Sequence, residues 1–392
     1  MATLKIMMIG GRRCGKTTIL SKIKQQFNKV LHHGPEDEIK NDLLTLLTST
    51  GEITKLNNAQ DCINDLFTQV DSPFEEFSID ENPSDNQTVT TFRLDPLKGA
   101  GSLSLEFTDI PGEWCSFIPG HTETDHLDDV KKLLTESNVI IIAIDTPSLI
   151  EEKGKYADYY NRINDIKELF RHAFVGDTFN KQESQKMILF IPMKCEKYII
   201  KDNGNTNIDG QKTVCNKVME HYSEMIHFFE EYPKNITLAI LPIVTIKEVE
   251  WTKFFSINKN TGELGNIYNN SGLPRNFIYG QPDVLYSKFC FKPNLYYPVA
   301  EGKTESQSLY CEQPLIYTLV FLFKYYTKYG KSLTIFEILG KIPIIGIFFR
   351  AITDLFNLFT TNHAYEQEAT RLGIRKMLRG NGFKILQNPL SI

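Results

Sequence analysis

The residues best suited to chemistry in this sequence form a short loop near its N-terminus. Gly10, Gly15, Lys16 and Thr17 fit the pattern G-x-x-x-x-G-K-[ST]. In such a loop the glycines let backbone N–H groups turn inward around a β-phosphate, and the N-terminus of the following helix favours the negative charge. The lysine then reaches the β- and γ-phosphates, and the threonine hydroxyl can ligate Mg²⁺.

The pattern occurs in the context that a phosphate loop requires, between a strand and a helix. Residues 4–9 (LKIMMI) are an apolar run typical of a buried strand, and residues 17–27 (TTILSKIKQQF) predict a helix. The alternative is a glycine-rich turn with a surface lysine, which this context disfavours. The residues of the loop predicted to contact a nucleotide are Gly10, Gly11, Arg13, Cys14, Gly15, Lys16, Thr17 and Thr18.

A second stretch, FTDIPGEW at 107–114, supplies an acid for Mg²⁺. Asp109 ends a predicted strand, where its carboxylate can hold the metal, and Gly112 can offer its backbone N–H to a γ-phosphate. Alone, D-x-P-G is often an ordinary turn, because Asp, Pro and Gly are all turn residues. Its place at the end of a hairpin strand that follows a phosphate loop favours the nucleotide interpretation.

A threonine at the start of the same hairpin is expected to complete the metal site. Thr88, Thr90 and Thr91 all lie there. We choose Thr88 because it precedes the strand, so the predicted metal ligands are Thr17, Thr88 and Asp109.

Two later strand ends have the composition of a base-binding site. Lys194 and Glu196 follow a buried strand in FIPMKCEKY. This stretch resembles the strand end [NT]-K-x-D of GTPases, where the carboxylate accepts hydrogen bonds from N1 and N2 of guanine and the lysine stem lies over the ring. The alternative is a solvated strand exit, where charged residues are common. Thr245 and Ile246, in LPIVTIKEV, fall where a Ras-like fold places its last base-contacting loop, and this resemblance implies that they offer backbone groups to the base.

The elements between these stretches alternate in type. Continuous apolar runs at 138–145, 186–193 and 235–244 are typical of central parallel strands. Helical patterns at 157–175 and 212–230 lie between them. This order predicts an α/β fold of the P-loop NTPase type, with a mostly parallel sheet flanked by helices.

The remaining patterns define the edges of this domain. Residues 88–94 and 102–109 alternate with period two and predict a hairpin, which adds one antiparallel edge strand. The segment 36–87 is predicted to be largely a helical insertion. We place the P-loop domain at residues 1–250 and a loop-rich, α-helical C-terminal extension at 251–392, in which 313–330, 333–360 and 364–379 are predicted to be helical.

Composition excludes several classes of protein. The 392 residues suffice for a large core, and the net charge of -5 offers no basic excess to neutralise nucleic-acid phosphates. The seven cysteines are scattered without a C-x-x-C pair, which argues against a disulfide framework or a zinc site and for a reducing compartment, the cytoplasm. The N-terminal apolar run is too short for a signal peptide.

The order GGRRCGKTT, DIPGEW, IPMKCEKY, LPIVTIKEV resembles the G1, G3, G4 and G5 motifs of Ras-like GTPases. The variants D-x-P-G-E and P-x-K-C-E-K-Y are more similar to the bacterial double-GTPase (DO-GTPase) group within the Ras-like, TRAFAC fold. The resemblance covers about residues 3–250. It implies GTP and GDP as ligands with Mg²⁺, a switch I region within 36–87, and a molecular switch or effector in bacterial defence. It also implies a partner GTPase, and since this chain has one P-loop, any pairing would be between chains.

Two features of the sequence bear on hydrolysis. Ras-like proteins place a Gln after D-x-x-G to orient the attacking water, and this chain has Glu113 there. A carboxylate can act as a general base, but beside a γ-phosphate it is repelled. Arg12 and Arg13 can block the transition state, supply a finger in cis or across a dimer, or lie solvated on the loop. Lys16, Glu113 and Arg12 are the candidate catalytic residues.

The predicted base-binding residues Lys194, Glu196, Thr245 and Ile246, here called the base end of the site, also depart from the Ras-like pattern, which reads [NT]-K-x-D. Met193 stands at the Asn/Thr position and Glu196 at the Asp position. Glutamate keeps the charge but adds a methylene, so its reach to the base must be rebuilt by a shift of the backbone.

These features predict Mg²⁺-dependent guanine-nucleotide binding and slow GTP hydrolysis, stimulated by self-association or a protein partner. The alternatives are a non-hydrolysing nucleotide-binding scaffold and an ATP-using P-loop ATPase or kinase. Peripheral membrane contact through 333–360 is a further alternative. Its run IPIIGIFF is too short to span a bilayer, and a buried helix is the favoured interpretation.

Overall fold

An eight-stranded sheet is the central feature of the computed structural model. The residues that the structure describes are 2–11, 14–31, 44–46, 77–79, 87–94, 103–115, 126–151, 155–174, 185–201, 204–257, 264–266, 286–294, 307–318, 321 and 383–390. The strands are β1 (Ala2–Gly10), β2 (Leu44–Leu46), β3 (Phe77–Ile79), β4 (Thr88–Leu94), β5 (Leu103–Asp109), β6 (Val139–Asp145), β7 (Lys186–Met193), β8 (Ile236–Ile240), β9 (Val249–Ile257), β10 (Leu264–Asn266), β11 (Tyr286–Pro293) and β12 (Lys384–Gln387).

Helices connect most of these strands. The described α-helices are α1 (Lys16–Leu31), α2 (Leu127–Glu136), α3 (Thr146–Glu151), α4 (Lys155–Tyr160), α5 (Ile163–Ala173), α6 (Glu196–Ile199), α7 (Ile208–His221) and α8 (Ser223–Glu230). A 3₁₀ turn spans Gly112–Cys115, and residues 313–318 are also helical. The last of these lies inside the helix that the sequence predicts at 313–330.

The strand order of the main sheet is β12-β8-β7-β6-β1-β5-β4-β2. β1 pairs in parallel with both β5 and β6, and the parallel pairing continues through β7 to β8. The predicted mostly parallel α/β sheet is therefore confirmed. Since parallel strands end at the same edge of a sheet, the C-terminal ends of β1, β5, β6, β7 and β8 lie along one edge.

Burial explains why these apolar runs form the centre of the sheet. Every residue of β6, β7 and β8 is buried, as expected for strands covered on both faces. One face packs on the apolar residues of α1, including Ile19 and Ile23. The other packs on α2, α5, α7 and α8, where Phe170 and Phe229 meet edge to face.

The edges of the sheet carry antiparallel strands. The predicted hairpin is confirmed, since β4 pairs antiparallel with β5 over their whole length. Two strands of this main sheet were not predicted. β2 extends this edge beyond β4, where the sequence analysis placed a helix, and β12 adds an antiparallel strand beside β8. Both strands are short, and a run of three or four residues has too little periodicity to separate a strand from a helix.

A second, four-stranded sheet has the order β10-β9-β11-β3. β9 and β10 form a hairpin within the Asn- and Gly-rich region after residue 250. β3 comes from the segment 36–87, most of which lies outside the described residues. The helical segments predicted at 333–360 and 364–379 also lie outside them, so the domain boundary at residue 250 stays a prediction. Among the described helices, none combines the length and apolarity needed to cross a membrane.

Candidate nucleotide site

The phosphate-loop sequence forms the connection between the first strand and the first helix. β1 ends at Gly10 and α1 begins at Lys16. Gly15 has a φ of 98°, in the left-handed region that favours glycine, and a Cβ at this position would lie 3.0 Å from Cε of Met193. The backbone turn thus requires glycine at this position, and the terminal methyl of Met193 leaves little room for a larger residue.

Lys16 turns its ammonium group back into this loop. Its side chain is buried, and Nζ donates hydrogen bonds to the carbonyl oxygens of Gly10 at 3.3 Å and Gly11 at 3.2 Å. A buried ammonium group needs such partners, because an unpaired charge in the interior is costly. A phosphate placed in the loop can supply the anionic partner for this lysine.

The predicted metal ligands are neighbours. The hydroxyl of Thr17, at the start of α1, donates to Oδ2 of Asp109 at 3.1 Å. The β4–β5 register sets Thr88 opposite Asp109, whereas Thr90 lies opposite Phe107. A hydroxyl and a carboxylate are the hard oxygen ligands that Mg²⁺ prefers, with water and phosphate oxygens completing the shell. The residues present therefore fit this ion.

The turn after Asp109 is hydrogen-bonded to β1. The backbone N–H of Ile110 donates to the carbonyl of Met8 at 3.4 Å, and Gly112 begins the 3₁₀ turn. Trp114 in this turn stacks on His126 with ring centroids 3.8 Å apart. Gly112 thus lies on the β1–β5 side of the loop, as a γ-phosphate contact requires. The side chain of Glu113 and the whole of Arg12 and Arg13 lie outside the described residues, so their catalytic roles stay predictions.

Two thiols and a threonine complete the surroundings of the loop. The thiol of Cys14 donates to the carbonyl of Gly11 at 3.1 Å, and the thiol of Cys115 donates to the carbonyl of Gly10 at 3.8 Å. Burial raises the pKa of Cys115 to about 11, so it is protonated at neutral pH. Thr18 is half-buried in the first turn of α1.

The structure brings the two predicted base-binding stretches together. Oε1 of Glu196 accepts hydrogen bonds from the N–H of Ile246 at 3.4 Å and the hydroxyl of Thr245 at 3.5 Å. The Glu196 side chain is buried, and within the described part of the chain its Oε2 has no hydrogen-bond partner. Burial raises the pKa of this carboxyl to about 7, although the Ile246 N–H and the charge of Lys194 act in the opposite direction. A ligand N–H group would satisfy the second oxygen.

Lys194 and Met193 occupy the turn between β7 and α6. Lys194 has a φ of 56°, which is uncommon for a residue with a side chain. Its Nζ lies 3.5 Å from Oδ1 of Asp145, an acid that ends β6. Met193 replaces the Asn or Thr of the Ras-like pattern with an apolar contact to the loop at Gly15. Sequence reasoning missed Asp145, although its place at the end of a buried parallel strand was a usable signal.

The loop that carries Thr245 is braced by residues 307–309, which lie in the segment predicted to be a C-terminal extension. Val244 and Leu309 exchange backbone hydrogen bonds of 2.9 and 2.8 Å, and the N–H of Lys247 donates to the carbonyl of Gln307 at 2.9 Å. Oε1 of Glu248 accepts from the N–H of Gln307 at 2.7 Å. Residues 307–309 therefore support the base end of the site, which the sequence did not reveal.

Comparison with known proteins yields only weak similarities. No protein-family model matches the chain, and no curated protein matches it. Among solved structures, the signal recognition particle receptor SRb-GTP/SRX complex from Chaetomium thermophilum is 11% identical over 63% of this chain and 92% of that chain, with a TM-score of 0.32.

The Ski7 GTPase-like domain of S. cerevisiae is also similar in two solved forms. The form bound to GTP is 9% identical over 79% of this chain and 75% of that chain, with a TM-score of 0.33. The form bound to GDP and inorganic phosphate is 10% identical over 78% and 73%, with a TM-score of 0.27. Similarities this low decide nothing about function, which has to be argued from the geometry of the site.

Proposed function

We propose that this chain binds guanine nucleotides with Mg²⁺ and hydrolyses GTP slowly. One observation carries the proposal. At a single edge of the sheet, a phosphate loop with a buried lysine lies beside the Thr17–Asp109 pair and near a buried carboxylate, Glu196, whose Oε2 has no partner among the described residues. Phosphate, metal and base contacts are thus available from adjoining strand ends.

Each group has a defined task in this proposal. The backbone N–H groups between Gly10 and Gly15 surround the β-phosphate, and Lys16 exchanges its carbonyl partners for phosphate oxygens. Thr17, Asp109 and Thr88 hold Mg²⁺, which when bound neutralises charge on the β- and γ-phosphates. Glu196 accepts the N–H groups of guanine, with its own orientation held by Thr245 and Ile246.

The hydrolysis step is proposed to be slow because Glu113 stands where Ras-like GTPases have the Gln that orients water. A carboxylate at that position repels the γ-phosphate, and a neutral Gln does not. We therefore expect Glu113→Gln to raise the rate of phosphate release. A GTP hydrolysis rate of about 100 s⁻¹ in a dilute wild-type monomer, the upper range of kinases, would contradict slow hydrolysis.

The first test is a competition titration of the full-length protein with GTP, GDP, ATP and ADP, each with Mg²⁺, followed by phosphate release. We expect guanine nucleotides to bind more tightly and phosphate to appear with GTP. Lys16→Ala is the control for contaminating hydrolases. Tighter binding of ATP would favour an ATP-using ATPase or kinase instead. Nucleotide binding without phosphate release, even at high protein concentration, would favour a non-hydrolysing nucleotide-binding scaffold.

The similarity of the motifs to the bacterial double-GTPase group supports a wider role as a switch or effector, in bacterial defence and with a partner GTPase. If self-association supplies the missing stimulation, the rate of GTP hydrolysis per chain should rise with protein concentration. A hydrolysis rate that does not depend on protein concentration would mean that a different partner stimulates hydrolysis.

A further inference from the structure

A buried polar cluster lies between the base end and the phosphate loop. At its centre, Asp145 ends β6 with its side chain almost fully buried. Its Oδ2 accepts a hydrogen bond from the hydroxyl of Ser148 at 2.8 Å, and Lys194 Nζ lies 3.5 Å from its Oδ1. A carboxylate at such depth is destabilising unless it is paired. The cluster is therefore arranged around this ion pair.

Asn161 ties the backbone of Asp145 to the neighbouring turn. Its side chain is fully buried, and Oδ1 accepts the N–H of Asp145 at 2.7 Å. Its Nδ2 donates to the carbonyl oxygens of Asp145 at 3.3 Å and Ala157 at 3.2 Å. The end of β6 is thus fixed to the turn after α4 by side-chain hydrogen bonds.

This turn touches the phosphate loop directly. Asn161 follows Tyr160, and a Cβ added at Gly11 would lie 2.2 Å from the carbonyl oxygen of Tyr160. The charges of the cluster also reach the loop. Burial raises the pKa of the Cys14 thiol, and the ammonium groups of Lys16 and Lys194 act to lower it. Asp145 acts in the opposite direction, so both charges of the pair lie close enough to the loop to act on Cys14.

The backbone of Lys194 gives a second reason to regard this pair as more than a packing contact. Its φ of 56° is a conformation that residues with side chains adopt only when their surroundings hold it. On one side Met193 packs under Gly15, and on the other Glu196 begins α6. The ion pair fixes the far end of the side chain, so both ends of Lys194 are constrained.

We propose that Asp145 is a positioning residue for base recognition. It holds the ammonium group of Lys194 beside the phosphate loop, so that the aliphatic stem forms a fixed wall of the base site next to Glu196. Ser148 and Asn161 in turn hold Asp145. The inference rests on the proposed function, because it assigns Asp145 to the recognition of the same nucleotide base.

The test compares a ligand that has a base with one that lacks it. Binding of GDP and of inorganic triphosphate, both with Mg²⁺, is measured for the full-length wild type and for Asp145→Asn. We expect the variant to lose about tenfold in affinity for GDP, because it removes the charge that pairs with Lys194, and to keep its affinity for triphosphate within about twofold. A merely structural role would lower both affinities together and would overturn the proposal, as would unchanged affinity for GDP.

Two further comparisons sharpen this result. Lys194→Met keeps an apolar stem without the charge, and combining it with Asp145→Asn should cause no further loss of GDP affinity, because both changes remove the same ion pair. Additive losses would contradict the proposed coupling. The matched control is Glu151→Gln, which breaks the exposed Lys197–Glu151 ion pair of 2.8 Å near the same turn and should leave GDP affinity unchanged.

If Asp145→Asn does not fold, a second variant still tests the proposal. Ser148→Ala removes the hydroxyl that donates to Asp145 but keeps the carboxylate, and we expect an approximately threefold loss for GDP with no loss for triphosphate. Equal affinities of Ser148→Ala and wild type would overturn the proposal if Asp145→Asn does not fold. A wild-type protein that binds no GDP would instead refute the proposed function, so the two failures are distinguishable.

Discussion

The phosphate end and the base end of the candidate site are built in different ways. The phosphate end is local, since one loop between β1 and α1 supplies its backbone groups and its lysine. The base end is assembled from three separate strand ends, where Asp145 pairs with Lys194 and Glu196 accepts a hydrogen bond from Thr245. The phosphate end depends on one turn and its lysine, whereas the base end also depends on the charge of Glu196, whose pKa burial raises to about 7, and hence on pH.

Substitution of the phosphate-loop lysine should have the largest effect. We expect Lys16→Ala to lower the affinity for GTP and GDP by about 100-fold or more, since hydrogen bonds to charged groups contribute up to about 3 kcal/mol each. Isothermal titration calorimetry measures the two dissociation constants. Lys5→Ala is the matched control, because Lys5 lies on β1, the strand that leads into the loop, but pairs with the exposed Glu136. Equal affinity of the Lys16 variant and wild type would remove the phosphate loop from nucleotide binding.

Substitution of the base-end carboxylate should change selectivity instead. We expect Glu196→Ala to lower GDP affinity by about 30-fold and ADP affinity very little, because only guanine donates two N–H groups to a carboxylate. The ratio of the GDP and ADP dissociation constants is the measurement. A parallel loss for both nucleotides would mean that Glu196 stabilises the loop rather than recognising the base.

The same carboxylate should make guanine binding depend on pH. Burial raises the pKa of Glu196 to about 7 in the nucleotide-free chain, and only the ionised form can accept both N–H groups. GDP affinity should therefore be full above this pKa and fall by up to about tenfold per pH unit below it. Titrations from about pH 8 to about pH 5.5 test this dependence. Glu196→Gln should abolish it, and an equally steep slope in that variant would assign the titration to another group.

The raised pKa has the opposite consequence for stability without nucleotide. Glu196 has an ordinary value of 4.5 when unfolded, so the folded state binds its proton more tightly. Its contribution to the free energy of unfolding is present below pH 4.5 and is lost as the pH rises through about 7. Bound guanine nucleotide should reverse this trend, because it stabilises the ionised carboxylate.

The two ends also differ in how far the sequence could predict them. The phosphate loop was predictable because strand, loop and helix are contiguous, and Thr17 and Asp109 do meet at 3.1 Å. Glu196 was predictable as a residue, but its partner Ile246 comes from the next strand end, and a buried carboxylate with a raised pKa is a property of the assembled fold. Asp145 was recognisable as an acid at the end of a buried strand, but its place beside Lys194 depends on the register that sets it opposite Met193, which no local pattern contains.

Substitution of Glu248, which contacts the predicted C-terminal extension, should have the smallest effect on GDP affinity. Glu248 follows the base loop, and its Oε1 accepts the N–H of Gln307 at 2.7 Å. Glu248→Ala removes this bond but leaves the Val244–Leu309 pair in place, so we expect an approximately threefold loss of GDP affinity. Glu220→Ala, which breaks an exposed ion pair on α7, is the control. A loss as large as that of Glu196→Ala would make the extension an integral wall of the base end, whereas no loss would mean that residues 307–309 only cover a loop already fixed by its own strand.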